Sequence, residues 1–231
     1  MNDISTLQKA IEQFAYSSGK DCRRVLHDLL RYILCTFNLQ PEPDPTWKYT
    51  KEQNAEFQNM MLIWLKVMDE ALKTHEWYDA WGDLFMAMTP KGGYRGQFFT
   101  PVDICDLMAD ISNPADAEPT TVCGAFGKRV TVNDCSAGSG RNLLAAHAKF
   151  IKAGARKPYL VAEDIDIDCC MMCAVNMLAH GCFGEVICHN TLTDPKGVFV
   201  GYLINESMYP IPTPFPSVRI KHEPEWFVSL R

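Results

Sequence analysis

Asp134-Cys135-Ser136-Ala137-Gly138-Ser139-Gly140 is the stretch on which the fold is decided. It follows a strand-like run, Arg129-Val130-Thr131-Val132-Asn133, and precedes a helix-like one, Asn142-Leu143-Leu144-Ala145-Ala146-His147-Ala148. A strand that breaks into small residues and then opens a helix brings backbone close to a ligand. Glycine removes the Cβ that would block the approach and tolerates φ values closed to other residues. The helix start adds N–H groups that lack intrahelical partners. Turns of this kind sit at the carboxyl ends of parallel strands, where open α/β sheets bind their ligands.

Outward from this turn the chain keeps alternating. Strand Tyr159–Ala162 leads to a helix Asp168–His180, and strands Glu185–Cys188 and Val198–Ile204 follow. Strand-helix alternation predicts a parallel, doubly wound sheet. Ser217–Lys221 and Trp226–Leu230 are candidates for edge strands. Pro210, Pro212, Pro214 and Pro216 fall on alternate positions, which forbids a regular helix and favours extended chain.

The part before the turn reads as helical. Leu26, Leu29, Leu30, Ile33, Leu34 and Phe37 keep the three/four spacing of a buried helical stripe, and Met61, Leu65, Met68 and Leu72 repeat it after the breaks at Pro41, Pro43 and Pro45. Trp77, Tyr78, Trp81, Leu84 and Phe85 read as packing between helices. Residues 88–100 form a glycine-rich, mildly basic loop. It runs into a helix start with Thr100 as N-cap, Pro101 as first helical residue and Asp103 third. Ile104, Leu107, Met108 and Ile111 then form an apolar stripe. These patterns divide the chain into an N-terminal helical region, residues 1–90, and an α/β domain with a proline-rich tail, residues 91–231.

Composition bounds the function. The 231 residues are 47% apolar and 22% charged, as in ordinary folded proteins. No apolar run approaches the roughly 20 residues of a membrane span, and Met1-Asn2-Asp3-Ile4-Ser5 lacks a signal pattern. Ten cysteines without such a signal read as reduced thiols in a cytoplasmic protein. The net charge of −6 argues that any contact with DNA comes from a local patch or a partner chain.

Two further segments complete the turn. Glu163-Asp164 ends the strand after it, and a carboxylate there can accept two hydrogen bonds from a ribose diol. Asp164 is the preferred residue, before Glu163, with Asp166 a weaker third. His189-Asn190-Thr191-Leu192 follows the next strand, where a side-chain amide could meet a base edge.

Together these segments resemble the N6-adenine DNA methyltransferases, most closely the modification subunit of type I restriction systems. Gly96-Gln97-Phe98-Phe99-Thr100-Pro101 resembles that family's glycine-glutamine-phenylalanine-aromatic-threonine-proline signature. Asp134–Gly140 is similar to its first S-adenosylmethionine motif, Asp164-Ile165-Asp166 with Asn176 and His180-Gly181 to its acidic second motif, and His189–Leu192 to a Gly-Asp-Thr-Leu motif. The resemblance covers residues 76–205. It implies a Rossmann-like S-adenosylmethionine-dependent core with a partly truncated sheet, methylation of adenine N6 in DNA within a restriction-modification system, and S-adenosylmethionine as cofactor. It further implies as partners DNA, a specificity or other subunit, or a second copy of the chain. By the same resemblance Phe98, Thr100 and Pro101 would pack around the methionine end. Asp134, Ser136, Gly138 and Gly140 would cradle the centre, Asp164 would hold the ribose, and Asn190 would lie near the adenine. Bland readings stand beside these: Thr100-Pro101 as a plain helix cap, Asp164 as a solvated strand end, Asn190 as a turn residue.

The chain departs from the family where methylation is done. The family's Asn/Asp-Pro-Pro-aromatic tetrapeptide, which holds the exocyclic amine and stacks on the flipped base, has no counterpart with two adjacent prolines. Ile204-Asn205-Glu206-Ser207-Met208-Tyr209-Pro210 stands in its place. Asn205 and Tyr209 are the catalytic candidates. The alternative is a non-catalytic relative, a cofactor-binding or interaction module. A rival metal reading rests on Cys169, Cys170, Cys173, Cys182, Cys188 and His189, but one helix would carry three of these thiols and no second Cys-x-x-Cys follows. No metal site is expected.

Overall fold

The computed structural model describes residues 4–88, 98–112, 117–119, 121–122, 128–194, 196–205 and 216–230. Four helices come first: α1 (Ile4–Ser18), α2 (Cys22–Thr36), α3 (Lys51–Ala71) and α4 (Ala80–Met88). Each start has a local cause. Asp21 caps α2 by accepting from Arg24 N at 3.0 Å, and Thr50 with Gln53 closes a reciprocal capping box on α3. Between α2 and α3 the proline break carries Trp47 and Tyr49, whose rings pack with Phe14, Tyr32 and Phe57.

The stripe predicted on α2 is buried from Leu26 to Leu34. On α3 the buried face is Phe57, Met60, Trp64, Val67 and Met68, while Leu65 and Leu72 are exposed. Trp64 packs on Trp81 there, and its large ring turns the helix away from the predicted face. A similar correction applies to α5 (Val102–Ser112), where Cys105 and Ala109 face inward and Ile104, Leu107, Met108 and Ile111 face outward. The small residues allow α5 to lie close against α6 (Arg141–Lys152). Its start also shifts by one: Pro101 is the residue before the first turn, and its carbonyl accepts from Ile104 and Cys105.

A short hairpin, β1 (Thr121–Val122) with β2 (Lys128–Arg129), precedes a five-stranded sheet. Its strands are β3 (Thr131–Asp134), β4 (Tyr159–Asp164), β5 (Gly184–Cys188), β6 (Val200–Ile204) and β7 (Val218–Lys221), neighbours in chain order. Helices α6 (Arg141–Lys152) and α7 (Ile167–Ala179) form the crossovers β3-α6-β4 and β4-α7-β5, and these three strands are parallel. The wholly parallel sheet expected from the sequence is corrected here. β6 runs antiparallel to β5, and β7 antiparallel to β6. The segment between β5 and β6 holds no helix among the described residues, and a chain without a crossover returns antiparallel.

Strand alternation sorts the residues onto two faces. Leu160, Ala162, Val186, Cys188, Val200, Tyr202 and Ile204 join the core shared with α1 to α7, so helical region and sheet bury one continuous apolar cluster. The opposite face presents Tyr159, Val161, Ile187 and Leu203, covered by Val228 and by Phe227, which lies between two 3₁₀ turns, Pro224–Trp226 and Val228–Leu230. The edge strand expected at Trp226–Leu230 is therefore a pair of turns. They are held by the buried Glu185, whose carboxylate accepts from the Val228 and Ser229 amides, both at 2.8 Å, and from Tyr159 Oη at 2.6 Å.

Among the described residues no helix is long and apolar enough to cross a membrane. The prolines from Pro210 to Pro214 lie outside the described residues.

Candidate functional site

β3 ends at Asp134, and the seven residues quoted above make the turn into α6. Asp134 Oδ1 accepts from Ser136 N at 3.1 Å, and Oδ2 from Asn142 Nδ2 at 3.0 Å, so one carboxylate ties both ends of the turn. Ala137 N donates to the Glu163 carbonyl, which fastens the turn to the tip of β4. Gly138 and Gly140 hold φ +56° and +92°, left-handed values costly for other residues. A Cβ on Gly138 would stand 3.0 Å from the Phe99 ring, and one on Gly140 would stand 2.7 Å from Cys173 Sγ. Both glycines are thus required by backbone shape and by close approach.

The turn forms the floor of a cavity of about 450 Å³. Phe98, Phe99 and Thr100 line one side of it, and Asp164, Ile165 and Cys169 the other. The volume lies within the roughly 300–1,000 Å³ of small-molecule sites. Asp164 reaches it because residues alternate along β4, while Glu163 points to the other face and lies 3.6 Å from His189 Nε2. Asp164 Oδ2 accepts from Gly138 N at 2.9 Å and Oδ1 from Asp166 N at 2.9 Å. Burial pushes the Asp164 carboxyl above its ordinary pKa, and these backbone hydrogen bonds pull part of the way back. Asp166 is spent as the α7 cap, accepting from Asp168 N and Cys169 N. Burial, followed by the acidic residues around it, raises the Cys169 thiol, which keeps it protonated.

Five of the residues expected from the sequence therefore meet at one cavity: Phe98, Thr100, Ser136, Gly138 and Asp164. Pro101 adjoins it, Asp134 braces it from below, and Gly140 packs against α7. Asn190 stands apart. Its side-chain oxygen accepts from Leu192 N and Thr193 N, which makes it the residue of a turn. Asn205 lies at the other end of the sheet. Because β6 is antiparallel, Ile204 pairs with Gly184, at the start of β5, and the cavity is near the end of β5. A five-residue strand, about 16 Å long, separates the two. Asn205 donates from Nδ2 to the Cys182 carbonyl at 2.7 Å and accepts from Ser217 N at 2.9 Å. Tyr209, Gly96 and Gln97 lie outside the described residues.

Sequence reasoning missed the polar network behind the floor. Asp79, just before α4, accepts from Ser139 Oγ at 2.5 Å, Arg141 Nε at 2.6 Å, Asn176 Nδ2 at 2.6 Å and Gly82 N at 2.7 Å. Arg141 also donates to Asp83 Oδ1 at 2.6 Å and to the Thr100 carbonyl at 3.2 Å. Its guanidinium lies over the Phe99 ring, 5.7 Å from the centroid. Burial alone would lower the Arg141 pKa, but Asp79 and Asp83 together outweigh it and the group stands above its ordinary value. Arg141 follows the glycine turn directly and was open to notice. Asp79, lying between aromatics read as core, carried no signal of its own.

Nine cysteines in the described residues are free thiols, and no cluster of His, Cys, Asp and Glu among these residues could hold a metal ion. Cys169, Cys170 and Cys173 are packed into the core along α7.

Compared with known proteins, the chain matches a family model described as N-6 DNA Methylase over residues 78–205, more than half its length. No curated protein and no solved structure matches it.

Proposed function

The chain belongs to the N-6 DNA methylase family, and from that premise we propose that it binds S-adenosylmethionine in the cavity between Phe98–Thr100, the glycine turn and Asp164. The observation that carries this reading is the convergence of three separate segments on one cavity at the carboxyl ends of β3 and β4. The unit β3-α6-β4-α7-β5 is Rossmann-like, and such units place ligands at this end.

The residues fit the cofactor. Each Asp164 oxygen holds one backbone N–H and keeps a lone pair for a ribose hydroxyl. Ile165 and Phe98, both substantially exposed, offer apolar surface at the mouth for an adenine ring and a methionine chain. The bound cofactor would supply an electrophilic methyl group. The chain's part is to bind it, orient it and exclude water around it. By family the acceptor is adenine N6 in DNA, as in the modification subunit of a restriction system, with DNA reached through a partner subunit or a local patch.

A second reading, a cofactor-binding module without transfer activity, has its own support. Asn205 is turned into hydrogen bonds at the far end of the sheet, and the tetrapeptide with adjacent prolines is missing from the sequence. In that reading the catalytic roles of Asn205 and Tyr209 are lost, whereas the cavity is kept.

Incubation with methyl-labelled S-adenosylmethionine and adenine-containing duplex DNA tests both. Transfer of the label to adenine supports the enzyme. Photo-crosslinking of the cofactor to residues 134–169 without transfer supports the binding module, and neither signal overturns the proposal.

A further inference from the structure

We propose that Asp79 is a positioning residue of the cofactor turn, holding its shape from behind without touching the ligand. Asp79 is 2% exposed, and its two carboxylate oxygens accept four hydrogen bonds of 2.5–2.7 Å. The donors come from α4, from the turn and start of α6, and from α7. Two of them, Ser139 and Arg141, line the cavity. Arg141 then extends the fixation to the opposite wall through the Thr100 carbonyl. Asn176 reinforces it by donating to the Ser139 carbonyl at 3.0 Å.

The chemistry selects an ionised carboxylate. All four neighbours are donors, and only an acceptor with two oxygens and no hydrogen satisfies them together. An asparagine would turn an NH₂ toward donors and leave the buried Arg141 short of a counter-charge. Gly82 lets α4 come this close: a Cβ there would stand 2.7 Å from Ser139 Oγ and nearer still to the Asp79 carboxylate.

The affinity part of the test rests on the cofactor reading, and the exchange part does not. The full chain carrying Asp79→Asn is compared with Asp28→Asn. Asp28 is an equally buried carboxylate that accepts from Arg24, Arg31 and Tyr49 in the helical region, away from the turn. Both variants lower the melting temperature. Below it, Asp79→Asn accelerates amide exchange across residues 134–142 of the unliganded protein and weakens S-adenosylmethionine binding, each by at least about tenfold. Asp28→Asn changes neither. Equal behaviour of the two variants would overturn the proposal, because Asp79 would then be a stabilising group only. If the wild-type protein binds no S-adenosylmethionine, the cofactor reading fails alone and the exchange comparison still decides the role of Asp79. Should Asp79→Asn not fold, Ser139→Ala removes one of the four bonds without stranding a charge. It is expected to accelerate exchange in the turn about threefold, and unchanged exchange would overturn the proposal.

Discussion

Gly138 donates its backbone N–H to the Asp164 carboxylate at 2.9 Å, across 26 positions of sequence. The glycine turn and the acid at the tip of β4 are therefore one assembly in the unliganded chain. A group that binds the floor and a group that binds Asp164 feel the same bond, and disturbing either end disturbs the other.

Asp164→Asn keeps the shape of this assembly but turns one acceptor oxygen into a donor. Affinity for S-adenosylmethionine should fall by about tenfold or more, one to two charge-assisted hydrogen bonds, as read by calorimetry. Acidification should do the same in the wild type. Burial raises the Asp164 pKa, so its protonation begins at higher pH than for an exposed carboxylate, and affinity should weaken progressively from mildly acid pH downward. An Asp164→Asn variant should lose that pH dependence.

Gly138→Ala should be harmful twice over. The left-handed φ of +56° costs an alanine about 1–2 kcal/mol, and its methyl meets the Phe99 ring at 3.0 Å. Thermal unfolding should register the first effect, and loss of cofactor binding the second. Gly19, equally left-handed but with open space around it, is the control: its alanine variant should lose stability alone.

His147 predicts how stability depends on pH. Burial in α6, with Lys157 and His180 nearby, lowers its pKa to about 4. The unfolded chain takes up the proton near pH 6.5 and the folded chain does not, so stability is full above pH 6.5 and falls as pH drops toward 4. The gap between 6.5 and about 4, at 1.36 kcal/mol per pH unit, sets an upper bound of about 3–4 kcal/mol. Melting curves between pH 4 and 7 should flatten in His147→Gln.

Glu185 should govern the C-terminal cover of the sheet. Glu185→Gln sets an amide against three donors and should cost about 2 kcal/mol or more. Limited proteolysis should then cut within residues 222–230 well before the rest of the chain.

Much of this was legible in the sequence. The turn Asp134–Gly140, the strand leading to Asp164 and helix α7 follow local rules of glycine geometry, alternation and periodicity, and these rules act within a few residues. Two kinds of feature were not legible. Which face of α3 and α5 is buried depends on partners far away in sequence: Trp81 and α6 decided it, against apolar stripes that pointed elsewhere. The direction of β6 depends on whether a crossover helix precedes it, and an apolar run of five residues reads the same either way. That single reversal carries Asn205 from the cavity to the far end of the sheet. Asp79 belongs to the second kind, since three of its four partners lie 60 to 97 positions away.

Calorimetric titration of the full chain at neutral pH measures whether this cavity holds S-adenosylmethionine. One saturable site of micromolar affinity, about −8 kcal/mol, is expected, and Gly138→Ala should abolish it. Absence of binding by a folded wild-type protein, or binding that Gly138→Ala and Asp164→Asn leave unchanged, would contradict that assignment.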